Sequence, residues 1–295
     1  MQRVESEIAR LIKEINYDEV THLFEKLQGG KRLRAKLILK IAPTCMNAPL
    51  LGAIVELIHA ASLLHDDVID EATLRRGVAS VNATNGSKTA VMLGDILYSK
   101  AFSELVVFDK EISKIISSSV TALSKGEMID VKMANSFNSD EDKYLEMLYL
   151  KTATLIEASA QAAAILASKD PYSHALYGKN LGLSFQIIDD ILDITSDEAT
   201  LGKPAMNDFV EGKCTLPYIY LYKMLDDEDK KVLISLHAKV LNKEEFFWIK
   251  EKMMTHKTVE RSFSLAQDLS NEAMNAVSDD TELVNILQTM IKRSY

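Results

Sequence analysis

The residues that stop helices are few in this chain, and they are grouped. Its 11 Gly and 5 Pro gather at QGGKR, APTCMNAP, NATNG, KDP and LGKP, and the segments between run well over ten residues. That spacing predicts long helices. No regular series of alternating strands with turn signals is present, which excludes α/β and all-β folds. Helices are expected near 3–16, 19–28, 31–42, 47–70, 87–108, 110–134, 139–168, 172–196, 213–225, 228–239, 243–254, 257–277 and 280–293. With 295 residues, no low-complexity linker and no midpoint shift in composition, the chain is expected to form a single all-α domain over 1–295. Apolar density is highest in 47–64 and 155–192, which places those helices centrally, while DDEDKK and LNKEEFFWIKEK look peripheral.

A formal charge of −9 speaks against a nucleic-acid partner, which needs a basic face. Cys45 and Cys214 lack CxxC spacing and read as reduced thiols of a cytoplasmic protein. The N-terminal MQRVESEIARLIKEI is charged throughout and does not read as a signal peptide. The most apolar segment, 48–64, carries Glu56 and His59, so a buried core helix is expected there and not a transmembrane segment.

Two apolar segments, GAIVELIHAASLL and NLGLSFQII, each run into an acidic block, HDDVID at 65–70 and DDILD at 189–193. Neighbouring carboxylates repel one another and are costly to bury, so a matched pair of such blocks needs a reason. On a helix Asp66 and Asp70 share a face, as do Asp189 and Asp193, while Asp67 and Asp190 lie about 100° round. Each block thus offers hard oxygen ligands of the kind Mg²⁺ prefers, with waters and substrate phosphates completing the shell. The two blocks are expected to face each other across one site. DDEDKK, with no apolar approach and adjacent lysines, reads as solvated surface.

Basic groups flank both blocks although the protein is acidic overall. GGKRLRAK supplies Lys31, Arg32 and Arg34 where a helix is expected to begin, and its open N–H groups would help cradle a diphosphate. TLRRG supplies Arg75 and Arg76, KTATL supplies Lys151 and Thr152, and LGKPAMNDFVEGK supplies Lys203 and Lys213. His59, seven residues before Asp66, reads equally well as a satisfied core histidine or as a phosphate ligand.

Together these stretches resemble the trans-type isoprenyl diphosphate synthases, above all the long-chain polyprenyl type. GGKRLRAK, ELIHAASLLHDDVIDEATLRRG, GD at 94–95, KTA, FQIIDDILD, GKP and EGKCTLP occur in the family's order over roughly 29 to 217. The resemblance implies a bundle of antiparallel helices around a deep central cavity, a homodimer, and three Mg²⁺ per active site. Carried over by position, Asp66 and Asp70 bind two Mg²⁺ with Asp67 in support, and Asp189 binds a third with Asp190 and Asp193 in support. Arg75, Lys151, Gln186 and Lys203 hold the allylic diphosphate, with Thr152 in the same motif; farnesyl diphosphate is the expected primer. Lys31, Arg34, His59 and Arg76 hold isopentenyl diphosphate, and Lys213 lies in a matching motif. Departures are Ala35, where the family often has Pro, and MND before Phe209, where an Asp pair is usual.

Product length is expected to follow from small residues before the first block. Ala61 and Ser62 would line a tunnel mouth that short-chain members close with a bulky aromatic, and Met128, Ile129 or Met133 would floor it. A product of about octaprenyl length follows, with transient membrane contact for its release. The alternatives are a farnesyl or geranylgeranyl synthase, a non-catalytic subunit of a heteromeric synthase, a terpene cyclase, and a metal-dependent phosphohydrolase of the HD type.

Overall fold

The computed structural model describes residues 1–27, 30–75, 77–195 and 206–292. The fold is all-α: 80% of the structure is helical. From the N-terminus run α1 (Gln2–Glu14), α2 (Asp18–Lys26), α3 (Leu33–Ile41) and α4 (Ala48–Ile69). A two-stranded hairpin, β1 (Leu74–Arg75) and β2 (Val78–Ala79), precedes α5 (Val81–Asn85), α6 (Ser87–Glu104) and α7 (Lys110–Ala134). Then come α8 (Glu141–Leu148), a π turn (Tyr149–Ala153), α9 (Thr154–Leu166) and α10 (Pro171–Thr195). After α11 (Asn207–Val210), five helices follow: α12 (Leu216–Met224), α13 (Asp227–Leu236), α14 (Lys243–His256), α15 (Thr258–Ala276) and α16 (Thr281–Lys292).

Most expected helices appear within a few residues of their predicted ends. Two differences stand beside the motifs singled out above. The predicted helix 139–168 is broken by the π turn, and the stretch after the first acidic block, which lay outside the expected helices, forms the hairpin. Local chemistry sets several starts: Asp140 accepts the N–H groups of Asp142 and Lys143 at 3.1 and 3.2 Å to begin α8, and Asn242 with Glu245 forms a capping box on α14.

Residue contacts group the chain into two compact units, Met1–Thr121 with Leu155–Gly178, and Ala122–Thr154 with Lys179–Tyr295. In the first, α4 is the core: its residues 51 to 58 are buried, with α1, α3 and α6 packed on it. Burying each of Leu51, Ile54, Leu57 and Ile58 contributes about 1.5–3 kcal/mol. Gly52 lets the helices close, since a Cβ there would stand 3.3 Å from Val4 Cγ2 and 3.4 Å from Ala35 Cβ. By length and composition α4 alone among the described helices could cross a bilayer, but 67% of that stretch is buried inside the protein, as expected of a core helix.

In the second unit the last turns of α10 pack Ile187, Ile191 and Ile194 into a core with Tyr144, Phe209 and Tyr218. Phe209 stacks on Tyr218 at 4.3 Å between ring centres.

Candidate diphosphate and metal site

The first acidic block occupies the final turn of α4, where the helix dipole is negative and carboxylates are least welcome. Its members divide by exposure. Asp66 is half-buried and Asp70 exposed, whereas Asp67 is 3% exposed. The Asp67 carboxylate accepts the Nε of Arg75 at 2.7 Å and also its Nη2. The hairpin exists to bring Arg75 there: Leu74 pairs with Ala79 and Arg75 with Val78, and Gly77 takes the turn at φ +77°. Asn82 donates to the Asp67 carbonyl at 3.1 Å and to that of Ala72 at 3.1 Å, tying the hairpin to the helix end. His65 lies on α6 because residue 94 is glycine; a Cβ there would stand 2.3 Å from His65 Nε2. That nitrogen is 3.2 Å from the Val91 carbonyl and 3.4 Å from Asp95.

The basic stretch before α3 needs a correction. One of the N–H groups expected to remain open for a phosphate, that of Ala35, donates to the buried Glu56 carboxylate at 3.1 Å. Helix α3 has no side-chain cap of its own, and Glu56 supplies one from α4. Arg32 pairs with Glu5 at 3.0 Å and with Glu56 at 3.5 Å, so it belongs to the scaffold. Lys31 is exposed. Arg34 keeps a buried Nε with no hydrogen-bond partner, and burial pulls its guanidinium down to about 10 against the opposing charge of Glu56. His59 is half-buried on α4.

The second block repeats the division. Asp189 is exposed, while Asp190 and Asp193 are 4% and 3% exposed. Asp190 accepts Gln186 Nε2 at 3.0 Å on one oxygen and the Tyr144 hydroxyl on the other. Burial, then the charge of Asp208, holds Asp190 well above the usual carboxylate range, and burial with the charge of Asp190 raises Tyr144. Asp193 accepts the Asp208 N–H at 3.2 Å, anchoring the start of α11. Gln186 Oε1 in turn accepts the Thr152 hydroxyl at 3.4 Å.

Lys151 stands on the π turn, a helix irregularity often found at functional sites. Its ammonium meets Glu127 at 2.7 Å and Asp130 at 2.5 Å. Burial lowers its proton affinity, but these two carboxylates outweigh that and raise it overall. Gly126 makes the approach possible, because a Cβ there would lie 2.5 Å from the Lys151 nitrogen. A cavity of about 160 Å³ brings Lys151, Thr152, Gln186, Asp189 and Lys213 together with Asp130 and Asp208. Glu127, Asp130 and Tyr144 were missed in the sequence, since single acidic or phenolic residues in helical stretches carry no spacing signal, and Asp208 was noted only as part of a departure from the family pattern.

The residues expected to set product length differ in exposure. Met128 is 75% exposed. Ala61 is 0% exposed, packed in the core; of the pair, Ser62 has surface, and its hydroxyl donates to the His59 carbonyl at 2.9 Å. Met133 lines the cavity of the second unit. Arg76 and Lys203 lie outside the described residues.

Among the described residues no three His, Cys, Asp or Glu side chains close on a metal ion by themselves. Asp66, Asp70 and Asp189 nonetheless fit Mg²⁺: they are hard oxygen donors with accessible surface, and an ion held by one or two of them keeps positions open for phosphate oxygens and water.

A family model described as polyprenyl synthetase matches residues 14–252, and the chain belongs to that family. The all-trans-nonaprenyl-diphosphate synthase (geranyl-diphosphate specific) of Rhodobacter capsulatus is 41% identical over 213 residues, 70% of this chain and just under two thirds (66%) of that protein. The crystal structure of octaprenyl pyrophosphate synthase from Helicobacter pylori superimposes with a TM-score of 0.93 at 44% identity, covering 98% of this chain and 97% of that one. A Caulobacter crescentus polyprenyl synthase, complexed with calcium and isoprenyl diphosphate, gives 0.83 at 28% identity, covering 98% of each chain.

Proposed function

We propose that this protein is a trans-polyprenyl diphosphate synthase that condenses an allylic diphosphate, farnesyl diphosphate as primer, with successive isopentenyl diphosphates. The observation that carries the reading is the division of each acidic block into accessible and buried carboxylates within a member of this family. Asp66, Asp70 and Asp189 are the Mg²⁺ ligands, with three ions per site; the calcium and isoprenyl diphosphate of the Caulobacter protein support a divalent ion and this substrate class. When bound, the metal draws off negative charge as the allylic C–O bond ionises and the electron pair leaves with the diphosphate.

Arg75, Lys151 and Gln186 hold and orient that diphosphate, with Thr152 and Lys213 beside it. Lys31, Arg34 and His59 take isopentenyl diphosphate; Arg76 and Lys203 complete the two sets. Exclusion of water from the site would keep the allylic cation from being quenched. The isopentenyl double bond then forms the new C–C bond, and the proton lost in restoring an alkene passes to the released diphosphate. The product is allylic again, so the cycle repeats.

The octaprenyl name of the Helicobacter protein supports a product of about that length. The family resemblance supports a homodimer, and the free thiols of Cys45 and Cys214 support a cytoplasmic setting. Incubation of the purified protein with Mg²⁺, farnesyl diphosphate and labelled isopentenyl diphosphate tests the reading. A ladder ending near octaprenyl is expected. A cyclic hydrocarbon, or turnover only with a second subunit, would refute it.

A further inference from the structure

We propose that the second carboxylate of each acidic block is a positioning residue and not a metal ligand: Asp67 aims the guanidinium of Arg75, and Asp190 aims the amide of Gln186. The inference rests on the prenyltransfer reading and gives separate tasks to neighbours that the motif alone treats as one cluster.

Helix geometry separates them first. A residue next to a ligand points about 100° away from it, and here that rotation carries Asp67 and Asp190 from accessible surface to 3% and 4% exposure. One carboxylate oxygen of Asp67 and both of Asp190 are also committed. Asp67 Oδ1 takes the Nε of Arg75 at 2.7 Å together with its Nη2, and the Asp67 carbonyl takes Asn82 and the Ala72 N–H at 3.1 and 2.9 Å. Asp190 spends one oxygen on Gln186 at 3.0 Å and the other on Tyr144. To bind a cation Asp190 would have to abandon a buried hydrogen bond, and Asp67 could do so through Oδ1 only by releasing Arg75, leaving donors unsatisfied.

What each residue holds is informative. Arg75 and Gln186 are both side chains assigned here to the allylic diphosphate. A guanidinium gripped along its Nε edge retains the Nη1 hydrogens for an anion. Gln186 presents its NH₂ to Asp190 at 3.0 Å, which turns Oε1 toward Thr152 at 3.4 Å. The same device is built once in each unit.

Calorimetric titration of Mg²⁺ with inorganic diphosphate into the full chain, alongside steady-state turnover, separates the roles. Asp67→Asn is expected to weaken diphosphate binding and raise the allylic KM about tenfold, with half-saturating Mg²⁺ moved less than about twofold. Asp66→Asn is expected to move the Mg²⁺ requirement about tenfold or more. Placed on Arg75→Ala, Asp67→Asn should add less than about twofold, because its target is gone; Asp190→Asn on Gln186→Ala should behave alike. Should Asp190→Asn not fold, Tyr144→Phe takes its place, with weaker diphosphate binding and unchanged Mg²⁺ saturation expected. Additive losses, or Mg²⁺ shifts as large as that of Asp66→Asn, overturn the proposal. A wild-type protein that binds diphosphate but never elongates would overturn the prenyltransfer reading instead, with the calorimetric comparison still deciding this one.

Discussion

Gly126→Ala puts two effects in opposition, and the structure decides between them. Within a helix, exchanging Gly for Ala favours folding by about 0.5–1 kcal/mol. Here the new methyl would sit 2.5 Å from the Lys151 nitrogen and 2.8 Å from both Leu150 C and Lys151 Cα. These are backbone atoms, so no side chain can swing away. Ordinary contact near 3.4 Å requires the π turn and α7 to part by roughly 0.9 Å, and overpacking of that kind costs about 1–3 kcal/mol. The same shift moves Lys151 from Glu127 and Asp130, now at 2.7 and 2.5 Å. A displacement of roughly 1 Å at a substrate-binding group can cost about a hundredfold in rate. Denaturant unfolding and kcat measured together give the test: a net loss of about 1–2 kcal/mol with kcat down at least about tenfold is expected. A variant more stable than the parent by about 0.5–1 kcal/mol, with unchanged turnover, would show that helix propensity wins and refute the close approach.

Three further predictions concern the remaining features. Ser62→Phe should shorten the major product toward farnesyl or geranylgeranyl length, whereas Met128→Ala should leave the product ladder unchanged on reversed-phase chromatography. Glu56→Ala removes the cap on α3 and a partner of Arg32, so a stability loss of about 1–3 kcal/mol by chemical denaturation is expected, and no loss would refute the capping role. Chelation of Mg²⁺ by EDTA should abolish turnover while far-UV circular dichroism stays constant, since no metal cluster holds the described fold together; loss of helicity would refute that.

Much of the fold was legible because breakers and apolar period act locally. α7 runs over Lys110–Ala134 as its spacing predicts, and α4 and α10 start and stop within a residue or so of the predicted ends. What escaped was set by tertiary contact. The π turn cannot be read from YLKTA, and neither can its close approach to Gly126 on another helix. The fate of the Ala35 N–H was likewise invisible, since its partner Glu56 lies 21 residues along in an apolar run. The aspartates were found as blocks, but their division was not, because whether Asp67 meets Arg75 depends on a hairpin whose strands are two residues each. Ala61 and Ser62 were equally small on paper, and only packing distinguishes them.

The seat of Asp66 and Asp70 on the last turn of α4 has a consequence for the order of events. The negative end of the helix dipole and the carboxylates there add their fields with one sign, so a naked diphosphate approaching that pole is pushed away while its magnesium salt is drawn in. Metal and substrate should therefore enter as a single species, and once the freed diphosphate departs with its ions, the restored repulsion readies the pole for the next cargo.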